Sequence, residues 1–177
     1  LPELAADLFA VRDAAHSLGT VAVDRLDSSG VLLMQGFGRL MREQGGGLVV
    51  NLTSGAARME YEGPPAGSGD GATGVGYPTT KAALDRLAVV LAPELRPFGI
   101  AVVNVDPGAT LTEIMQLSAE RNPTVVASAH AMSVPAEAVA RLAQLDDPMR
   151  FAGRVVSAVE VLAELDEGHD LDVPGLA

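Results

Sequence analysis

Two short apolar runs separated by a helical stretch constrain this chain more than anything else in it. "LVVNL" (48–52) and "GIAVVNV" (99–105) are rich in β-branched residues, the pattern of strands buried on both faces of a parallel sheet. Between them, "YPTTKAALDRLAVVLAPEL" (77–95) reads as a helix, with Pro78 suited to its first turn. Strand, helix, strand implies a right-handed crossover joining a parallel pair. The expected fold class is therefore α/β, a Rossmann-like, doubly wound parallel sheet in three layers.

The other segments arrange themselves around this unit. Apolar spacing over Leu4, Leu8, Val11 and Ala15 predicts an amphipathic helix closed by Gly19, and "TVAV" (20–23) a short strand. A broad apolar face from Leu26 to Arg42 predicts a helix stopped by glycines 45–47. After the second strand, helices are expected over 111–120, 135–145 and 156–165, with an edge strand in "GRVVSA" (153–158). The whole of 1–177 is expected to form one domain, interrupted by a Gly-rich loop at 62–76 and ending in a loose acidic tail at 166–177.

Composition narrows the partners. A net charge of −11 argues against nucleic acid. No apolar run approaches membrane-spanning length, and no signal segment opens the chain, so a cytoplasmic protein with no membrane partner is expected. With no Cys and three scattered His there is no metal-ligand spacing. Aspartates and glutamates mostly follow helix faces and termini and read as solvated surface.

The stretch "GDGATGVGYPTTKAAL" (69–84) holds two candidate signatures. "GDGATG" has the glycine spacing of a dinucleotide-binding turn, but such a turn works at the joint of a strand and a helix, where the helix N-terminus faces phosphate. Here it lies inside a Gly- and Pro-rich loop with no strand leading into it, and a surface loop or lid is the better reading. "YPTTK" carries more. Tyr77 and Lys81 are four apart on one helical face, where an ammonium stabilises phenolate and brings a tyrosine toward acid–base service. Lys81 is also the one lysine among twelve basic residues.

Convergence supports that second reading. In a parallel strand–helix–strand unit, the strand C-termini and the helix start share one sheet edge, where open α/β sheets bind ligands. Ser54 follows the first strand, Tyr77 opens the helix, and Pro107-Gly108 follows the second strand. Ser54 can donate to a substrate carbonyl, Tyr77 can transfer a proton, and Gly108 allows close approach by a flat ligand.

These residues resemble the short-chain dehydrogenase/reductases. "GGGLVVNLTSG" is similar to that family's strand ending in the catalytic serine. "YPTTKAALDRLAVVLAPELRPFGIAVVNVDPGATLT" is similar to its Tyr-x-x-x-Lys helix, next strand and Pro-Gly segment. The resemblance implies an NAD- or NADP-dependent oxidoreductase acting on a small alcohol or carbonyl compound. It assigns Ser54, Tyr77 and Lys81 to catalysis. Tyr77, Lys81, Pro107, Gly108 and Thr112 would bind cofactor, with Lys81 on the nicotinamide ribose. It further implies a homodimer or homotetramer paired through the helices at 26–44 and 77–95. Substrate identity and the choice between NAD and NADP are not legible.

The departures are specific. The family's N-terminal Gly-rich turn and its Asn-Asn-Ala-Gly segment have no counterpart, and the start at Leu1 suggests that an upstream part is missing. Asp27 stands where the family's fourth catalytic residue, an asparagine, is expected. Ser54 and Tyr77 are 23 residues apart, wider than usual for the family. The alternative reading is a non-catalytic remnant that keeps the fold's centre as a structural or interaction protein.

Overall fold

The structure is a computed structural model that describes residue 34 and residues 36–60, 76–117 and 123–167. The expected helix at 4–15, the "TVAV" strand, Asp27, most of the Gly-rich loop and the last ten residues lie outside these. Among the described residues the sheet has three parallel strands in the order β1 (Gly47–Leu52), β2 (Ile100–Asp106) and β3 (Val155–Ser157). β1 and β2 run in register from Gly47 opposite Ile100 to Leu52 opposite Val105. β3 pairs only with the last part of β2, Asn104 to Asp106, and forms the edge expected of "GRVVSA".

Helices cover both faces. On one side lie α1, described at 34 and 36–43, and α2 (Gly76–Leu95); Met34 of α1 packs with Ala88, Ala92 and Val102. On the other lie α5 (Ser133–Ala143) and α6 (Ala158–Glu167), whose Ala138, Leu142, Val161 and Leu165 pack on Val103, Val105 and Val156. β2 is the centre: every residue from Ile100 to Val105 is fully buried. Burying side chains of this size is worth about 1.5–3 kcal/mol each, so the alternation of Val102 to one layer with Val103 and Val105 to the other ties the layers together. This is the Rossmann-like α/β arrangement that the two apolar runs require.

Helix α2 stops because Arg96–Phe98 tightens into a 3₁₀ turn and Gly99 takes a left-handed conformation, φ 70°. The chain can then reverse into β2 without the Cβ clash that other residues meet there.

Several boundaries differ from the sequence expectation, each for a local reason. The chain leaving β1 forms local structure at once, and the expected loop ends one residue early. A 3₁₀ turn forms at Gly55–Ala57, capped by Ser54, and Gly76 already belongs to α2. The helix expected over 111–120 is the short α3 (Glu113–Leu117), capped by the Thr112 hydroxyl, which accepts from the Met115 N–H at 3.2 Å. A further short helix, α4 (Pro123–Ala127), starts at a proline, which is well suited to a first helical position. The helix expected from 156 begins at Ala158. Ser157 and Glu160 form a capping box, with the Glu160 N–H to Ser157 Oγ at 3.1 Å and the Ser157 N–H to Glu160 Oε2 at 2.8 Å. The acidic tail does not begin at 166. Asp166 and Glu167 are helical, and Asp166 accepts from Arg141 of α5 at 2.5 Å.

Candidate active site

The register of β1 and β2 sets the site. The Thr53 N–H extends the pairing to the Val105 carbonyl at 2.9 Å, so Ser54 and Pro107 leave the sheet from adjacent positions on its carboxyl edge. The turn after Ser54 packs on α2. It also closes on the end of β2, where a Cβ on Gly55 would sit 3.3 Å from Asp106 Oδ2. The three segments singled out in the sequence therefore meet at one edge.

Tyr77 stands in the first turn of α2 and is 43% exposed, within reach of a ligand at the edge. One turn on, the half-buried Lys81 places its Nζ 5.8 Å from the centre of the Tyr77 ring. The ammonium donates to the Leu52 carbonyl at 2.8 Å, which ties α2 to the last residue of β1. Among the described residues this uses one of its three N–H groups. The Thr80 hydroxyl donates to the Gly76 carbonyl at 2.7 Å and secures the turn that carries Tyr77.

Ser54 has an extended backbone, φ −158° and ψ 146°, and its Oγ accepts from the Ala56 N–H at 3.3 Å. That contact fixes the oxygen and leaves the hydroxyl hydrogen to be donated elsewhere. Across the edge, Gly108 is left-handed with φ +68°. A Cβ there would also stand 3.2 Å from the His130 ring, so glycine is required twice over. The Gly108 N–H donates to Asp106 Oδ1 at 3.0 Å, and Thr110 Oγ1 donates to the Pro107 and Gly108 carbonyls, both at 3.3 Å. His130 enters through backbone pairing beside this loop, its N–H to the Ala109 carbonyl at 2.8 Å. Thr112 lies further along, held by its role as the cap of α3.

Not all the acidic residues are solvated surface. Asp85 and Asp106 each have a side chain only 13% exposed, and both accept from the guanidinium of Arg58. Asp85 also accepts from Asn104 Nδ2 at 2.9 Å. Asn104 is fully buried in β2, donates to the Leu84 carbonyl at 3.0 Å and accepts from Asn51 at 2.9 Å. This network joins residues far apart in the sequence. Its one local signal was the spacing of Tyr77, Lys81 and Asp85 along a single helical face. Among the described residues no group of three His, Cys, Asp or Glu side chains could hold a metal, and no helix is long and apolar enough to cross a membrane.

A family model described as short chain dehydrogenase matches residues 26–123. The chain belongs to the short-chain dehydrogenase family. A 3α-hydroxysteroid dehydrogenase of Mediterraneibacter gnavus is 30% identical over 143 residues, which is 81% of this chain and 49% of that protein. Among solved structures, a 7α-hydroxysteroid dehydrogenase in complex with NADH and 7-oxo glycochenodeoxycholic acid aligns with a TM-score of 0.60 at 22% identity, covering 72% of this chain and 48% of that one. ElxO with NADP bound aligns with a TM-score of 0.62 at 20% identity, covering 75% and 53%. Both share the fold. The chain spans about half the length of these proteins.

The residues at the edge fit the nicotinamide half of a dinucleotide. Among the described residues Lys81 spends one N–H on Leu52; its other N–H groups and the hydroxyl of Tyr77 suit ribose hydroxyls, and the side-chain-free Gly108 leaves room for a flat ring.

Proposed function

We propose that this chain carries the catalytic edge of an oxidoreductase that interconverts an alcohol and a carbonyl by hydride transfer with NAD or NADP, Tyr77 acting as general acid and base. The observation that carries this reading is the Lys81 anchor. The chain's one lysine is held at 2.8 Å to Leu52, one turn from Tyr77, on the edge where Ser54 and Gly108 emerge.

When bound, the nicotinamide supplies hydride to the carbonyl carbon or accepts it from the alcohol. In reduction Tyr77 gives its phenolic proton to the developing alkoxide, and in oxidation it takes the alcohol's proton. Ser54 donates its free hydroxyl hydrogen to the same oxygen, steadying negative charge as it forms. Lys81 sets its ammonium beside the Tyr77 ring and holds the ribose with N–H groups other than the one on Leu52. Pro107, Gly108 and Thr112 line the nicotinamide side. The substrate is a small alcohol or carbonyl compound.

Self-association through α1 and α2 belongs to the same reading. Phe37 and Leu40 on α1 and Val89 and Val90 on α2 are all at least 40% exposed, apolar side chains that a second copy would cover. Light scattering should report a homodimer or homotetramer, and a monomer would contradict it.

The deciding experiment is a fluorescence titration of the chain with NADH and with NADPH, paired with Tyr77→Phe. Binding of one cofactor, with turnover abolished and affinity kept in the variant, supports the reading. If neither binds at millimolar concentration, the alternative of a non-catalytic structural protein takes its place. Unchanged activity in Tyr77→Phe would remove the role given to that tyrosine.

A further inference from the structure

We infer that Arg58 is a positioning residue whose guanidinium fixes the spacing of the three segments that carry Ser54, Tyr77 with Lys81, and Pro107-Gly108. Its effect on cofactor binding rests on the oxidoreductase reading; its effect on geometry does not.

Arg58 lies four residues after Ser54, at the end of the turn that Ser54 caps. One arm of the guanidinium donates to Asp85 Oδ2, and the other donates to Asp106 Oδ2 at 2.8 Å. Asp85 belongs to α2, on the face that carries Tyr77 and Lys81. Asp106 is the last residue of β2, and its second oxygen accepts the Gly108 N–H at 3.0 Å. One side chain thus joins all three segments, and the Gly108 loop hangs from it through a single carboxylate.

Each aspartate is also held through its second oxygen, Asp106 by the Gly108 N–H and Asp85 by the strand behind it. Asp85 Oδ1 accepts from Asn104, which is fully buried and further fixed by Leu84 and Asn51. Both carboxylates are therefore aimed at one point, and without a cation between them they would repel. A planar guanidinium with two donating arms fits that point, whereas a lysine ammonium offers a compact charge on a flexible stem.

Magnitudes separate this from an ordinary surface ion pair. The Arg58 side chain is 45% exposed, and pairs this exposed contribute little to global stability. Its loss should therefore appear in the geometry of the edge rather than in the melting temperature. Small displacements at a reacting edge are costly, because catalysis and cofactor seating depend on alignment.

The test compares Arg58→Gln and Arg58→Lys with Arg141→Gln, which removes a comparable two-carboxylate pairing with Glu137 and Asp166 on the other helical layer. Two readouts are taken on the full chain: solvent exchange of the Gly108 amide by NMR without cofactor, and NADH and NADPH affinity by fluorescence. Arg58→Gln should speed Gly108 exchange and weaken binding by about tenfold each, the scale of one charge-assisted hydrogen bond. Its melting temperature should stay near wild type. Arg58→Lys should recover part of both losses, and Arg141→Gln should change neither. Gly108 exchange in Arg58→Gln equal to wild type, or a uniform rise across the sheet amides, overturns the inference. Should the wild type bind neither cofactor, the oxidoreductase reading falls alone, and Gly108 exchange still decides the role of Arg58.

Discussion

Lys81 donates to the main-chain carbonyl of Leu52 at 2.8 Å, so the helix carrying Tyr77 is tethered to the last residue of the strand that leads into Ser54. A lysine in this position has two tasks. It sets where α2 starts relative to the sheet edge, and it presents a positive charge near the Tyr77 ring.

Lys81→Met separates those tasks from folding. The Leu52 carbonyl lies at an exposed strand end and can turn to water, so the melting temperature should fall only slightly. Turnover should fall by about a hundredfold or more, the usual scale for losing support of an acid–base group. Lys81→Arg keeps the charge but not the compact ammonium, and should restore the tether more fully than the rate. A variant with wild-type kcat would show that the lysine serves structure alone.

Gly108→Ala tests the other side of the edge. With φ +68°, an alanine there is strained by about 1–3 kcal/mol. Its Cβ also meets the His130 ring at 3.2 Å, so the loop must shift. Chemical denaturation should show that loss, and cofactor affinity should drop with it. If stability is lost but affinity is kept, Gly108 shapes the loop without contacting the cofactor.

What was legible from sequence follows from how local each cause is. Both central strands lie within one residue of their expected limits, because β-branched runs bounded by glycine and by "DPG" need no distant partner to be recognised. The edge that gathers Ser54, Tyr77 and Gly108 followed from parallel topology alone. The Arg58 network was hidden because its partners lie 27 and 48 residues away in sequence, and nothing local marks an aspartate as buried. The start of α6 was misplaced because valines at 155 and 156 suit a strand or a helix. Only the reciprocal bonds of Ser157 and Glu160 decide between them.

Those same bonds give the fold an acid-sensitive corner. The Ser157 N–H and hydroxyl hold the Glu160 carboxyl below its usual value, and the Arg154 guanidinium does the same for Glu164. A carboxyl with a lowered folded pKa contributes stability above its unfolded pKa, and loses it as pH falls through the folded value. Stability should therefore decline as pH drops below about 4.5, the unperturbed value of both groups. In Glu160→Gln and Glu164→Gln the decline should be shallower. Because both groups are exposed enough for solvent to screen them, the change per variant should be modest. Denaturation midpoints measured across pH 3 to about 6 would check this, and parallel curves for wild type and variants would contradict it.

Asn104 gives the sharpest stability test, because it is a polar side chain fully buried in the central strand. Its amide donates to Leu84 and Asp85 and its carbonyl accepts from Asn51. Asn104→Ala removes all three bonds and leaves half-buried partners unsatisfied, at a cost of about 1–3 kcal/mol before any cavity term. Asn104→Asp preserves shape but replaces the donating group with a carboxylate oxygen facing Asp85, and an uncompensated buried charge costs about 3–5 kcal/mol. The aspartate variant should thus be the less stable of the two at neutral pH, despite its closer size. The new carboxyl has a raised pKa in the folded state, so acidification should protonate it and narrow the gap to wild type. Urea denaturation of both variants near pH 5 and pH 7 would read this directly. An aspartate variant as stable as wild type at neutral pH would mean that the Asn104–Asp85 contact does not hold the helix to the sheet.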